Sequence, residues 1–167
     1  LTGHVGPISA IAFSARGDIL ASASTDGIGR VWDAVTGQPV SVLSGHANYL
    51  TDVAFSPDGE QVVTASLDRT ARTWKAKTGE ALATYAGDTE AVTSGRFTAS
   101  GLEIVTASED GTARTWDVVV QPFLPVVTTL DAPVTGLAFV AGGEALSAVA
   151  GTRSYRIGLP HGPAVDT

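Results

Sequence analysis

The feature that most constrains this chain is an internal repeat of 42 residues. Trp32, Trp74 and Trp116 recur at that spacing (74 − 32 = 116 − 74 = 42). Other residues keep the same period: Phe13, Phe55, Phe97 and Phe139; Asp26, Asp68 and Asp110; Gly17, Gly59, Gly101 and Gly143. Each copy of a repeat folds into one unit that buries its apolar surface against its neighbours, so this period sets the architecture.

Each copy contains four short stretches of strand-forming residues separated by Gly, Asp and Pro turn signals. In the first copy the predicted strands are residues 8–13, 19–24, 29–32 and 38–43, and Asp26-Gly27 is a strong hairpin signal. No window shows helical periodicity. A period in the forties with one tryptophan per copy is typical of β-propeller blades. The predicted fold class is therefore all-β, with four-stranded antiparallel meanders forming a partial or open propeller.

The four copies are predicted at about residues 3–44, 45–86, 87–128 and 129–158, followed by a tail at 159–167. The outer strand region of the third copy contains Pro122 and Pro125, which are tolerated only at an edge or a bulge. The fourth copy is eroded, because the period predicts Asp and Trp where the chain has Thr152 and Gly158.

Composition excludes several classes of function. The 167 residues include no cysteine and carry a net charge of −7, which argues against binding to nucleic-acid phosphates or to an anionic membrane. No apolar run is long enough to span a bilayer, and no signal peptide is visible, which favours a cytoplasmic location. The first residue is Leu1 and there is no methionine, so we expect a segment of a longer protein.

The strings GH…AFSARG…ASASTDG…VWD, GH…AFSPDG…TASLDR…TWK and GD…RFTASG…TASEDG…TWD resemble the WD-repeat family of β-propellers. The resemblance is strong over residues 3–117 and weak over 130–157. It implies that a buried network of His, Ser or Thr, Asp and Trp holds each blade together. The implied members are His4, Ser22 or Ser24, Asp26 and Trp32; His46, Thr64 or Ser66, Asp68 and Trp74; and Asp88, Thr106 or Ser108, Asp110 and Trp116.

Aspartate replaces histidine in the third copy, and this substitution predicts a weaker network there. Asp88 facing Asp110 would bring two like charges together. We therefore expect Asp88 to point outward, or one of the two carboxyl groups to be protonated, and the third blade to be the loosest of the three strong ones.

The polar residues of the repeats could serve catalysis or anion binding, but each also has an explanation as part of the fold. His4, Ser22 or Ser24 and Asp26 are the residue types of a hydrolytic triad, but the set recurs in the second copy, which favours a structural role. We predict no catalytic residues, no metal site and no cofactor. The column Arg30, Arg72, Arg114 and Arg156 could bind an anion, but we expect solvated side chains whose stems cover apolar surface.

The resemblance implies a rigid docking platform for protein or peptide partners, with binding residues in the loops at one end of the blades. The implied candidates are Pro7, Ser9, Thr25, Tyr49, Thr51, Leu67, Ala91, Thr93 and Glu109. Tyr49 and Leu67 are the best anchors, because exposed aromatic and apolar residues dominate interface energetics. In this interpretation the scaffold carries out no catalysis of its own. The alternative is a regulatory or assembly segment of a larger signalling ATPase or kinase, for example a bacterial one.

Propellers of this family generally close with about seven blades, and four copies are too few for such a ring. We therefore expect the missing blades to come from the rest of a longer chain or from another copy, since an open arc exposes strand edges.

Overall fold

The computed structural model describes residues 1–118, 127–129, 132–139 and 145–158. These residues form four separate antiparallel sheets, three with four strands and one with three. The all-β prediction is confirmed, and no sheet among the described residues closes into a barrel. None of the described segments is a helix of the length and apolarity needed to cross a membrane.

Each sheet is called a blade and is numbered in chain order. Blade one comprises β1 (Ile8–Phe13), β2 (Ile19–Ser24), β3 (Gly29–Asp33) and β4 (Pro39–Leu43). Blade two comprises β5 (Leu50–Phe55), β6 (Gln61–Ser66), β7 (Thr70–Lys75) and β8 (Ala81–Ala86). Blade three comprises β9 (Val92–Phe97), β10 (Glu103–Ser108), β11 (Thr112–Asp117) and β12 (Val127–Thr129). Blade four comprises β13 (Val134–Phe139), β14 (Ala145–Ala150) and β15 (Arg153–Gly158).

The predicted strands lie where the repeat places them, with ends that differ by one residue at several positions. The eroded fourth copy still forms a third strand, because β15 pairs with β14 along its whole length without the usual tryptophan. Pro122, Pro125 and the tail at 159–167 lie outside the described residues. The predicted repeat boundaries stay predictions.

Consecutive blades pack side by side through their first strands. β1 contacts β5, β5 contacts β9 and β9 contacts β13, and the second strand of each blade also packs on the first strand of the next. The second strands are therefore covered on both faces, and β2, β6 and β10 share one pattern of nearly complete burial. This burial explains their small or β-branched residues, since a strand buried on both faces has no need of alternation.

A β-bulge recurs at the same place in each first strand. Ser9, Thr51, Thr93 and Thr135 are left out of the pairing between the first and second strands. A bulge redirects a side chain, and here three of these hydroxyls reach the next blade. Ser9 donates to the Leu50 carbonyl at 2.7 Å, Thr51 to that of Val92 at 2.6 Å, and Thr93 to that of Val134 at 2.6 Å.

Blades two and three share one further polar link, centred on Asp52. Its buried carboxylate accepts hydrogen bonds from the Ser94 hydroxyl at 2.6 Å and from the Gly95 N–H at 3.2 Å, and it pairs with the Arg96 guanidinium. The equivalent position in blade one is Ala10, so this link is specific to the contact between blades two and three.

Candidate functional site

The polar interior of blade two is a chain of hydrogen bonds that ends on a carboxylate. The Trp74 indole N–H donates to the Thr64 hydroxyl at 2.8 Å, and Thr64 lies 2.8 Å from His46 Nε2. His46 Nδ1 lies 2.7 Å from Asp68. A neutral imidazole with its proton on Nδ1 satisfies every group, because the indole, the hydroxyl and the imidazole each donate to the next.

Blade one contains the same chain with serine as the hydroxyl. Trp32 donates to Ser22 at 2.8 Å, Ser22 lies 2.9 Å from His4 Nε2, and His4 Nδ1 lies 2.8 Å from Asp26. Of the two hydroxyl positions left open by the sequence, the earlier one joins the network in blades one and two.

The later hydroxyl has a different role. Ser24, Ser66 and Ser108 each accept the N–H of the turn aspartate two residues on, at 3.0–3.2 Å. Each also donates to a backbone carbonyl just before the first strand of its own blade. These serines therefore tie the hairpin turn between the second and third strands to the loop that enters the blade.

In blade three an arginine occupies the space of the missing imidazole. Arg114 pairs with Asp88 and lies 3.3 Å from Asp110, while Trp116 still donates to Thr106 at 3.0 Å. Of the two alternatives for Asp88, the outward orientation is wrong, because its side chain is buried against this guanidinium, which offsets the repulsion from Asp110. Burial raises the pKa of Asp88, which is the direction of the other alternative, a protonated carboxyl group. One Asp88 oxygen, Oδ2, is buried without a partner among the described residues.

The arginine column is more buried than expected. Arg114 is buried, and Arg30 and Arg72 are half-buried. The Nε atoms of Arg30 and Arg72 are enclosed and have no hydrogen-bond partner in the part of the chain that the structure describes. The expectation of a solvated position is therefore wrong for Arg114. The side chain of Arg156 lies outside the described residues.

The turn carboxylates of Asp26, Asp68 and Asp110 are held in the ionised form. Burial raises the pKa of Asp68, but hydrogen bonds from the Thr70 hydroxyl, the Ala47 N–H and His46 outweigh it and lower the pKa to about 2. Asp110 behaves in the same way, again with a pKa of about 2. Burial lowers the pKa of His46 despite its pairing with Asp68, so the imidazole is neutral at pH 7.

The hydroxyl, imidazole and carboxylate are connected as in a hydrolytic triad, but a substrate cannot reach the hydroxyl. Ser22 and Thr64 are buried, and each hydroxyl is already hydrogen bonded to an indole. A substrate could reach either hydroxyl only if the blade opened, so the geometry favours the structural role. No cluster of three or more metal-ligating side chains occurs in the described part of the chain.

The candidate binding residues lie together at one end of the blades. A backbone hydrogen bond joins the loop before the first strand to the hairpin turn in each blade, pairing Thr25 with Pro7, Leu67 with Tyr49 and Glu109 with Ala91, at 2.9–3.0 Å. Tyr49 is 53% exposed, and Pro7, Leu67 and Glu109 are also exposed.

Four of the candidates are less available than the sequence suggested. Ala91 is buried, so its proposed role as a contact residue is wrong. The hydroxyls of Ser9, Thr51 and Thr93 are engaged by the next blade, which leaves only the rest of each side chain for a partner.

One exposed residue was missed by the sequence reasoning. Val5 is 94% exposed and lies at the same end as the candidate residues, because its N–H donates to Asp26 in the hairpin turn. The signal was its place directly after His4, where the hydrogen bond to Asp26 fixes the backbone and leaves the side chain in solvent. Val5, Pro7, Thr25, Tyr49 and Leu67 are together called the loop face.

The WD domain, G-beta repeat family matches residues 1–33, 37–75 and 79–117, which is more than half of the chain. The chain belongs to the WD40 repeat family. Each match covers the first three strands of one blade together with its hydrogen-bonded network. No curated protein matches the chain closely enough to be named as a relative.

WD40 repeats generally serve as platforms for protein interactions. Blade four lies outside the three matches. The WD40 signature is therefore strongest in blades one to three, and the loop face lies on the first two of these.

Proposed function

We propose that this WD40 segment is a protein-interaction scaffold and that its loop face binds an apolar segment of a partner protein or peptide. The observation that carries the proposal is the exposure of Val5, Tyr49 and Leu67 on one end of blades one and two. Exposed apolar and aromatic side chains gathered at one place are typical of interaction sites.

The backbone beneath these side chains is already fixed. The Tyr49 N–H is bonded to the Asn48 side chain at 2.8 Å, and the Tyr49 carbonyl accepts the Leu67 N–H at 3.0 Å. The hairpin turn is held in turn by Asp68 and Ser66. Because these loops are already fixed, this chain loses little conformational entropy when a partner binds, which favours affinity from a small contact.

The same geometry supports a scaffold without chemistry of its own. The histidine, hydroxyl and carboxylate groups of the two networks are used inside blades one and two, and the loop face offers mainly aliphatic and aromatic surface. The net charge of −7 favours a protein partner over a nucleic acid. We propose no catalytic activity and no cofactor.

The test compares a loop-face variant with a matched surface variant. Leu102 is also exposed, but it lies in the turn between β9 and β10, at the opposite end of the blades. Proteins captured by the immobilised chain are quantified by mass spectrometry for the unchanged chain, the double variant Tyr49→Ala/Leu67→Ala and the control Leu102→Ala.

We expect the double variant to lose specific partners that the control retains, with both variants unfolding at the same temperature as the unchanged chain. If the captured set is identical for all three folded proteins, the loop face is not the binding site. If partners are retained by the double variant but lost by Leu102→Ala, the binding site lies at the opposite end of the blades.

A further inference from the structure

The hairpin turn of blade two holds an arginine in a backbone conformation for which the neighbouring blades have glycine. Arg69 has a φ of 69°, and in the part of the chain that the structure describes it is the one residue other than glycine with a positive φ. The equivalent residues are Gly27 in blade one and Gly111 in blade three, each with a φ of 81°. This left-handed region strains any residue with a Cβ, whereas glycine adopts it freely.

The turn does not need the arginine side chain. The Arg69 N–H donates to the Ser66 carbonyl at 3.3 Å, and the N–H groups of Gly27 and Gly111 make the same bond in their own turns at 3.2 Å. The guanidinium of Arg69 is exposed, and it makes no hydrogen bond or ion pair with a described residue. The strain at Arg69 is therefore not compensated by a contact within these residues.

Arg69 places a cation at the edge of the loop face. It lies two residues beyond Leu67 in the same turn, and the Leu67 N–H is bonded to the Tyr49 carbonyl at 3.0 Å. The other basic side chains of blades one to three lie on strands or at the opposite end of the blades: Arg16, Arg30, Arg72, Lys75, Lys77, Arg96 and Arg114. Among the loops at this end of blades one to three, Arg69 is therefore the single Lys or Arg side chain.

The acidic neighbours of Arg69 lie on blade three. A Cβ built on Gly27 is 3.4 Å from the Asn48 carbonyl, so this turn position faces the loop that enters the next blade. The equivalent of Asn48 in blade three is Glu90, and Glu109 lies in the hairpin turn that is bonded to the same loop. Both glutamates are exposed, and neither forms an ion pair with Arg69. A ligand with several negative charges would meet like charges there.

We propose that Arg69 sets the specificity of the loop face, and that the partner segment it selects carries a single Asp or Glu beside its apolar residues. This inference rests on the proposed function, because it names the chemistry of the partner at the same surface. A guanidinium binds a carboxylate through two parallel hydrogen bonds, which fixes the direction of the segment. A strained residue with a free cation is explained by a use outside the fold. The net charge of −7 opposes a longer acidic run.

The experiment selects random dodecapeptides, displayed on phage, against the immobilised chain and three variants. Arg69→Gly supplies the residue of the neighbouring blades, and Arg69→Glu reverses the charge. Arg16→Ala is the matched control, since Arg16 is also exposed in a turn but lies at the opposite end of the blades. The enriched peptides are synthesised, and fluorescence anisotropy gives their affinities for each variant and for Tyr49→Ala/Leu67→Ala. Urea unfolding is measured for every protein.

We expect the peptides that require Tyr49 and Leu67 to carry one Asp or Glu at a fixed distance from an apolar residue. Arg69→Gly should weaken their binding about tenfold, and changing the peptide carboxylate to an amide should then have no further effect. Arg69→Glu should select Lys or Arg at the same place in the peptide, while Arg16→Ala should select the same peptides as the unchanged chain. Arg69→Gly should also raise the urea midpoint of unfolding, because glycine relieves the strain.

The outcomes separate this inference from the proposed function. If the peptides require Tyr49 and Leu67 but bind Arg69→Gly as tightly as the unchanged chain, the loop face is the binding site and Arg69 does not set its specificity. If no enriched peptide requires Tyr49 and Leu67, both proposals fail. If Arg69→Gly lowers the unfolding midpoint, or Arg16→Ala weakens binding equally, Arg69 serves the fold or the overall charge, and the inference is wrong.

Discussion

Arg114 reaches the carboxylate of Asp88 inside blade three, across 26 positions of sequence. This pair stands beside Asp110, where the imidazole meets the turn carboxylate in blades one and two. It keeps blade three folded with a different set of charges, but it leaves Asp88 Oδ2 without a partner and the Thr106 hydroxyl without an imidazole. Blade three is therefore the place where a single substitution can improve the network.

Asp88→His should stabilise the chain. The new imidazole can bond Asp110 through Nδ1 and Thr106 through Nε2, as His46 does with Asp68 and Thr64. Arg114 loses its partner Asp88 and must turn to the half-buried position that Arg72 has in blade two. Two hydrogen bonds then replace a buried carboxylate with an unpaired oxygen, so we expect a net gain of about 1 kcal/mol in the free energy of unfolding. The measurement is urea unfolding at pH 7. Asp88→Asn removes the charge without supplying the imidazole, and an equal gain for both variants would show that charge alone matters.

Thr64→Val should destabilise blade two by about 1–3 kcal/mol, because it leaves the Trp74 N–H and His46 Nε2 buried without a partner. Thr84→Val is the matched control, since Thr84 is exposed on β8 and its hydroxyl has no hydrogen bond within the described residues. Thermal unfolding followed by tryptophan fluorescence measures both. Equal stability of the two variants would mean that the network contributes nothing.

Asp52→Ala should weaken the contact between blades two and three. The substitution strands the Ser94 hydroxyl and removes the carboxylate partner of Arg96, which is 34% exposed and keeps its bond to the Gly95 carbonyl. We expect a loss of about 1–3 kcal/mol in the free energy of unfolding. Alanine is tolerated by the backbone, since Ala10 occupies the equivalent position in blade one. Asp52→Ala/Arg96→Ala should recover part of the loss, and a purely additive double variant would argue against coupling between the two side chains.

Stability should fall in acid because of Asp68 and Asp110. Both have a folded pKa of about 2 against an ordinary value of 3.8, so the unfolded chain binds protons first as pH falls. Their contribution is fully present at neutral pH and is lost between about pH 5 and pH 2, at about 2 kcal/mol per group. Asp68→Asn should be less stable at pH 7 and should show a shallower fall in acid. If the unfolding free energy of Asp68→Asn falls with pH as steeply as that of the unchanged chain, the pKa of Asp68 is not lowered in the fold.

Asp88 should act in the opposite direction. Burial and the nearby Asp110 raise its pKa although Arg114 is close, so the folded chain binds a proton before the unfolded chain does. Protonation of Asp88 therefore stabilises the fold as pH falls towards the raised pKa. Removing this group in Asp88→Asn should make the loss of stability in acid steeper, and a shallower loss would show that its pKa is not raised.

Much of this molecule was predictable from spacing alone. The period of Trp32, Trp74 and Trp116 located the blades, and the Asp-Gly and Pro-Asp-Gly turns located the hairpins. Several strand ends differ from the prediction by one residue. Whether a terminal pair such as Ile19 and Asp33 forms depends on the geometry of the hydrogen-bond ladder rather than on residue type.

The choice between paired hydroxyls was beyond the sequence. Ser22 and Ser24 lie on the same side of β2 with the same chemistry, and only the position of the indole and imidazole across the sheet decides that Ser22 joins them. The same limit explains why the outward orientation expected for Asp88 is wrong. Its repulsion from Asp110 was evident, but the inward turn of Arg114 depends on space that the absent imidazole leaves inside the blade.

By itself, the sequence determined that this protein is built from repeated WD40 blades, because a strict period with fixed turn residues leaves few other ways to bury the tryptophans. Only the tertiary structure decided which side chains face solvent. A bulge sends Thr51 to the next blade, burial removes Ala91 from the loop face, and the side of blade one is left bare at Ile8. These outcomes depend on neighbours that are 40 or more residues away in sequence, and no local pattern records them.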